Sequence, residues 1–172
     1  MVREHAFEIF GGPQALVGPE LKPGDRAPGF TVLDMNFKPV RLEDFRGKVA
    51  VLASVPSLDT SVCNREANRF GEEALKLSDD IQIVTISMDL PFALKRWCQA
   101  NNSERLIAAS DHREASFGEA YGVLLRDFRL LSRAVFVVDR GGTLKYVEYV
   151  PVAGQEPNYE AVLNAAKEAA RA

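Results

Sequence analysis

Residues 55–64 read "VPSLDTSVCN", and they place one of the chain's two cysteines where its chemistry would be altered. An apolar, strand-like run stops at Pro56, the chain turns through Ser57, Asp59 and Thr60, and helical periodicity begins near Cys63. A cysteine in the first turn of a helix faces unpaired backbone N–H groups and the positive end of the helix dipole, and both favour a thiolate. A free thiol titrates at ~8.5, and placement at a helix start can bring it below ~7. Asp59 and Thr60 are both good N-cap types, and the Thr60 hydroxyl, three positions before Cys63, lies near enough to meet the sulfur or a bound molecule. Pro56 ends the strand and stiffens the loop. The same stretch also fits Cys63 as a small buried hydrophobe. Local chemistry leaves both readings open.

The second cysteine, Cys98, lies 35 positions further on. Leu90, Leu94, Trp97 and Cys98 fall at i, i+4, i+7 and i+8 of a predicted helix, one face of which packs inward. Cys98 is thus a core residue, a working thiol, or both. The two histidines, His5 and His112, are far apart. "SDHRE" offers His112 as a base for Cys63 in a cysteine hydrolase, but no supporting motif surrounds it. Two cysteines and two histidines at wide spacing do not make a zinc pattern, and no C-x-x-C pair is present. Gly11-Gly12 and Gly141-Gly142 are turn glycines, since neither pair sits between a strand and a helix as a phosphate loop requires.

The elements that must position these residues follow from hydrophobic periodicity. "AFEIFGGPQALVG" predicts a hairpin within about residues 1–20, with Gly11, Gly12 and Pro13 in its turn. A short strand is expected at 30–33 and a brief helical turn at "VRLEDFRGK". "VAVLASV" and "IQIVTIS" read as strands buried on both faces. Between them, a helix from Thr60 to about Leu77 turns Ala67, Phe70, Ala74 and Leu77 inward. Arg65, Glu66, Arg69, Glu72, Glu73 and Lys76 are assigned to its solvated face. "DLPFALKRWCQANN" is a second helix, with Asp89 as N-cap and Pro91 in its first turn. "LIAAS" predicts a short strand, "REASFGEAYGV" a short helix ending at Gly122, "RAVFVVD" and "LKYVEYV" a strand pair, and "PNYEAVLNAAKEAARA" a closing helix. This order predicts an α/β thioredoxin-like fold: a central mixed β-sheet flanked by helices, with an N-terminal β-hairpin extension.

Composition bounds the function. The chain has 172 residues, 47% apolar and 26% charged, which predicts a single domain over 1–172. A net charge of −3 speaks against nucleic acid or an anionic membrane as partner. No apolar run approaches the ~20 residues of a membrane span, and "MVREHAFEIFGG" lacks the layout of a signal peptide. A cytoplasmic location is expected, where a persistent structural disulfide is not.

Pro56, Thr60 and Cys63 together form Pro-x-x-x-Thr-x-x-Cys, which resembles the active-site motif of the peroxiredoxins. "PSLDTSVCNREANRF", "ISMDLPFALKRWC", "SFGEAYGV" and "LLSRAVFVVD" resemble successive blocks of the thiol peroxidase subfamily, the atypical two-cysteine peroxiredoxins. The resemblance runs from about residue 6 to the last helix, and Ser61 and Asn64 are departures that remove no required group.

The resemblance implies a thiol-dependent peroxidase acting on hydrogen peroxide and organic hydroperoxides. Cys63 would be the peroxidatic thiolate, attacking the terminal peroxide oxygen and becoming a sulfenic acid, with no metal or organic cofactor. Cys98 would be the resolving cysteine, closing an intrachain disulfide that thioredoxin reduces. Arg133, in "LLSRAVFVVD", would be the cationic member beside Thr60 and Pro56, in preference to the neighbouring Arg126 and Arg129. A homodimer is implied as well. Leu58, Val62, Pro91 and Phe92 are candidates for an apolar rim favouring alkyl hydroperoxides. Because a disulfide needs Cα atoms ~4.4–6.8 Å apart, joining cysteines on two helices should unwind one or both of them locally. The rival reading is a catalytically idle thioredoxin-like binding module or redox-sensing adaptor, against which stands the joint presence of every required group.

Overall fold

A computed structural model describes residues 1–101 and 103–172. Among them, seven strands form one mixed sheet. They are β3 (Thr31–Asp34), β4 (Pro39–Arg41), β5 (Val49–Ser54), β6 (Ile81–Ser87), β7 (Leu106–Ser110), β9 (Ala134–Val138) and β10 (Leu144–Tyr149). Their spatial order is β10-β9-β5-β6-β7-β3-β4. β5, β6 and β7 run parallel, as crossover helices require, while β9 returns antiparallel to β5.

Every residue of β5 is buried, and alternate side chains enter two different cores. Val49, Val51 and Ala53 pack with helices α1 (Ser61–Ala74), α2 (Pro91–Ala100) and α4 (Tyr159–Arg171). Ala50 and Leu52 face the other way, onto Phe30, Phe45, Phe117 and Tyr121, of which Phe117 lies in the short helix α3 (Ser116–Ala120). Each large apolar side chain here is worth several kcal/mol; truncating buried Phe70 of α1 to alanine would cost ~3–5 kcal/mol. The expected α/β fold, a central mixed sheet flanked by helices, is what the chain adopts.

The N-terminal hairpin is present as β1 (Val2–Ile9) and β2 (Gly12–Val17), and it gains a third strand, β8 (Leu124–Leu125). Its turn is Phe10-Gly11, both at positive φ (57° and 78°), rather than the expected Gly11 to Pro13. Gly12 and Pro13 are already strand residues; Pro13 lies beyond the part of β2 that β8 pairs, so its missing N–H costs no ladder bond. Gly122 clamps this layer to the body. It sits at φ +70°, and a Cβ there would meet the Pro19 carbonyl oxygen at 1.9 Å.

Three further expectations need correction. Asp89 does not cap α2; the N-cap is Leu90, which is half exposed and outside the core, with Pro91 at the first helical position. α2 ends at Ala100 with Asn101 as C-cap, and Asn102, the last residue of the predicted helix, lies outside the described residues. Glu66 is not on a solvated face of α1 but fully buried. No helix among the described residues is long and apolar enough to cross a membrane.

Candidate active site

β5 delivers the chain at Ser54 to a tight loop, residues 55–60, that feeds α1, so Cys63 is the third residue of that helix. Pro56 is buried at the start of the loop. Asp89, at the end of β6, holds the loop in place. Its carboxylate accepts from the Leu58 N–H (2.8 Å), the Ser57 hydroxyl (2.7 Å) and the Ser87 hydroxyl (2.8 Å). Thr60 has the extended backbone of an N-cap, but its hydroxyl donates to the Ser57 carbonyl (3.0 Å) and makes no bond to the Cys63 sulfur. Among the expected rim residues, Leu58 and Pro91 are buried, Val62 is half-buried, and Phe92 is 72% exposed against Phe37.

Arg133 comes to Cys63 through the sheet. Ser54 pairs with Ala134 at the end of the β5–β9 ladder, so the residue before Ala134 stands beside the point where the chain leaves for α1. Its Nη2 donates to Cys63 Sγ at 3.3 Å, and Nη1 donates to Glu66 Oε1 at 3.0 Å. Nη2 and Nε also donate to the Ala153 carbonyl, at 2.7 and 3.2 Å, which fixes the plane of the guanidinium. Cys63 and Glu66 have no exposed surface and Arg133 has 1%. Arg126 and Arg129 are exposed; Arg126 instead pairs with Glu4 and Asp127.

A buried guanidinium demands compensation, because an unpaired ion in the interior costs several kcal/mol. Burial works against the Arg133 charge, and Glu66 and Cys63 together outweigh it, holding the group more firmly protonated than an ordinary arginine. Burial acts in the opposite sense on Glu66. It pushes that carboxyl from 4.5 up to about 7, with Arg133 opposing and Glu156 and Glu148 adding to the rise. Glu66 Oε2 has no hydrogen-bond partner among the described residues. One cation therefore serves two acids, and a negative sulfur and a negative Glu66 compete for it.

Cys98 occupies the last turn of α2, half-buried, with both cysteines reduced. Burial raises its thiol pKa. It lines a cavity of about 190 Å³ with Met35, Asn36 and Leu106, and among the described residues no cation is bonded to it. The two cysteine-bearing helices are tied together by their neighbours: Trp97 Nε1 donates to Asn64 Oδ1 at 2.8 Å, and Asn68 Nδ2 donates to Asn101 Oδ1 at 2.9 Å.

Glu66, Asp89 and Asn64 were not singled out by sequence reasoning as site residues. For Glu66 a signal existed: Cys63, Glu66, Ala67, Phe70 and Ala74 share one helical stripe at i, i+3, i+4, i+7 and i+11, and an acid in such a stripe is buried with a partner. Nothing in the sequence marked Asp89 as a loop clamp rather than a helix cap.

A helix-start cysteine bound to a buried arginine, on a thioredoxin-like sheet, is the arrangement of a cysteine peroxidase, and comparison with known proteins points the same way. The Redoxin family model matches residues 22–163. A thiol peroxidase of Oceanobacillus iheyensis is 53% identical over 152 residues, 88% of this chain and 92% of that protein. A thiol peroxidase of Bacillus subtilis is 51% identical over 157 residues, 91% of this chain and 93% of that protein. The crystal structure of a peroxiredoxin-like protein from Aquifex aeolicus superimposes with a TM-score of 0.89 at 40% identity, covering 96% of this chain and 97% of that one. The chain belongs to the Redoxin family, in its thiol peroxidase branch, and is a thiol-dependent peroxidase.

Proposed function

We propose that Cys63 is the peroxidatic thiol and Cys98 the resolving thiol of a thioredoxin-recycled peroxidase, with Thr60, Arg133 and Pro56 shaping the site. The observation that carries this is the 3.3 Å bond from Arg133 to the Cys63 sulfur in a site closed to water. In such a site a fixed cation favours the charge of the thiolate and of the developing transition state far more than it would in bulk water. The sulfur attacks the terminal oxygen of ROOH and displaces the alkoxide: an S–O bond forms, the O–O bond breaks, sulfur loses two electrons to become the sulfenic acid, and the departing alkoxide takes a proton and leaves as ROH. Cys98 then attacks the sulfenic sulfur, releasing water and closing the Cys63–Cys98 disulfide. A thioredoxin dithiol reduces that bond and is itself oxidised. Thr60, once its hydroxyl is released from the Ser57 carbonyl, is a donor for the peroxide oxygens. Residues 1–172 act as one unit, as a homodimer in the cytoplasm.

The test is peroxide consumption with thioredoxin and, separately, with dithiothreitol. Cys63→Ser should lose turnover with both reductants. Cys98→Ser should lose it with thioredoxin and keep part of it with the small thiol. Turnover by Cys63→Ser at the wild-type rate would defeat the assignment.

A further inference from the structure

We propose that the chain also binds a nucleoside-diphosphate-like ligand, an aromatic body carrying two phosphates, in a cleft at the end of strands β5 and β9 opposite to Cys63. β5 and β9 pair from Ser54↔Ala134, at the cysteine end, to Ala50↔Val138 at the other. Ala50 and Val138 line a cavity of about 510 Å³ there. Four residues along a strand place it ~13 Å from Ser54, and it opens on the sheet face away from α1. Its volume falls in the ~300–1,000 Å³ span of small-molecule sites.

Charge is what sets this cleft apart. In a chain of net charge −3, its walls carry five cationic side chains, Arg26, Arg41, Arg46, Lys48 and Arg140, against two carboxylates, Glu43 and Asp139. Asp139 is occupied by the Gly141 and Thr143 N–H groups and by Lys145. Glu43 reaches only Arg41, at 3.9 Å. Arg140 is held by the Gly47 and Ala170 carbonyls and pairs with Asp80 at 3.6 Å. Arg26 has a single long contact, 3.4 Å, to the Gly141 carbonyl, and the Arg46 and Lys48 side chains make no hydrogen bond or ion pair among the described residues. Such donors are what a phosphate engages, arginine in bidentate fashion and lysine as a point charge.

The floor says what the phosphates are attached to. Ala27, Phe30, Phe45 and Val138 are buried beneath the charged walls. An inorganic anion would leave this apolar surface and most of the volume unused, whereas an aromatic base lies against it with its phosphates on the rim. A nucleic acid strand is disfavoured by the overall negative charge.

Calorimetry at low ionic strength tests this, with ADP as probe and pyrophosphate and adenosine as separate arms. Saturable ADP binding is expected, at least about tenfold tighter than either fragment, since each meets only half of the site. Arg46→Glu/Lys48→Glu should weaken ADP by at least about tenfold, and Arg26→Glu, on a separate segment, by at least about fivefold. All three side chains are exposed, so the peroxidase turnover of these variants without ADP should match wild type, which also reports that they fold. The proposal is overturned by the absence of saturable heat at millimolar ADP, by a fragment binding as tightly as ADP, or by unchanged ADP affinity in the reversal variants. None of these outcomes bears on the roles of Cys63 and Cys98.

Discussion

The indole of Trp97, the residue before Cys98, donates a 2.8 Å hydrogen bond to the side-chain oxygen of Asn64, the residue after Cys63. The two cysteine-bearing helices are thus latched through the immediate neighbours of their sulfurs. Asn68–Asn101 and the exposed Asp59–Arg96 pair add to the same seam. Drawing the sulfurs together requires this seam to open, so disulfide formation should move the only tryptophan of the chain into a different environment. A shift in intrinsic fluorescence on oxidation, reversed by reductant, is expected. Asn64→Ala removes ~1 kcal/mol of latch and should speed disulfide closure about fivefold. Closed and oxidised forms with superimposable backbones at 60–66 and 90–98 would show that no latch opens.

Arg133→Met removes the donor that faces the sulfur. By analogy with losing one oxyanion donor, the second-order rate with peroxide should fall by ~10²–10³. The fold should survive because Glu66, pushed up to about 7, can take a proton once its partner is gone. Stopped-flow rates together with melting curves separate these effects. A rate within about threefold of wild type would remove Arg133 from the chemistry.

Glu66 makes stability depend on pH with a definite sign. Its carboxyl titrates at about 7 in the folded chain against 4.5 ordinarily. Between those values the folded state binds more protons than the unfolded one, so stability falls as pH rises from about 4.5 to about 7 and is level above that range. Glu66→Gln keeps an acceptor for Arg133 but cannot ionise. Denaturant titrations should show wild type losing ground to Glu66→Gln across that window. A constant difference from pH 4 to 8 would contradict the assignment.

Asp89 anchors the loop that aims Cys63 through two hydrogen bonds, from Ser57 and Leu58, and a third from Ser87 orients its carboxylate. Asp89→Ala should destabilise by ~1–3 kcal/mol and slow the peroxide reaction, whereas Asp89→Asn retains the acceptor for Leu58 N–H and should do less harm. Equal effects of the two variants would show that the hydrogen bond from Leu58 does not matter.

Local periodicity carried the elements around the site. The apolar runs of β5 and β6 and the α1 stripe of Ala67, Phe70 and Ala74 were legible because burial on both faces, or on one helical face, leaves a direct mark on residue type. What was not legible depends on tertiary contacts. β8 is two residues long and is defined by its pairing with β2, a contact far away in sequence. Asp89 is a good capping type whose carboxylate was claimed by a loop 31 residues earlier in sequence. Glu66 lies among charged neighbours in the sequence, which masks its position on the buried stripe with Cys63. Arg133 stands out only through its sequence context, and the β5–β9 register supplies the physical reason it meets Cys63.

The most direct test is one equivalent of peroxide added to the reduced protein, followed by digestion and mass measurement without reductant. A cross-linked pair of peptides bearing Cys63 and Cys98 is expected in wild type, and in Cys98→Ser a dimedone adduct on Cys63. An unmodified Cys63 alongside consumed peroxide would contradict its assignment as the reacting sulfur.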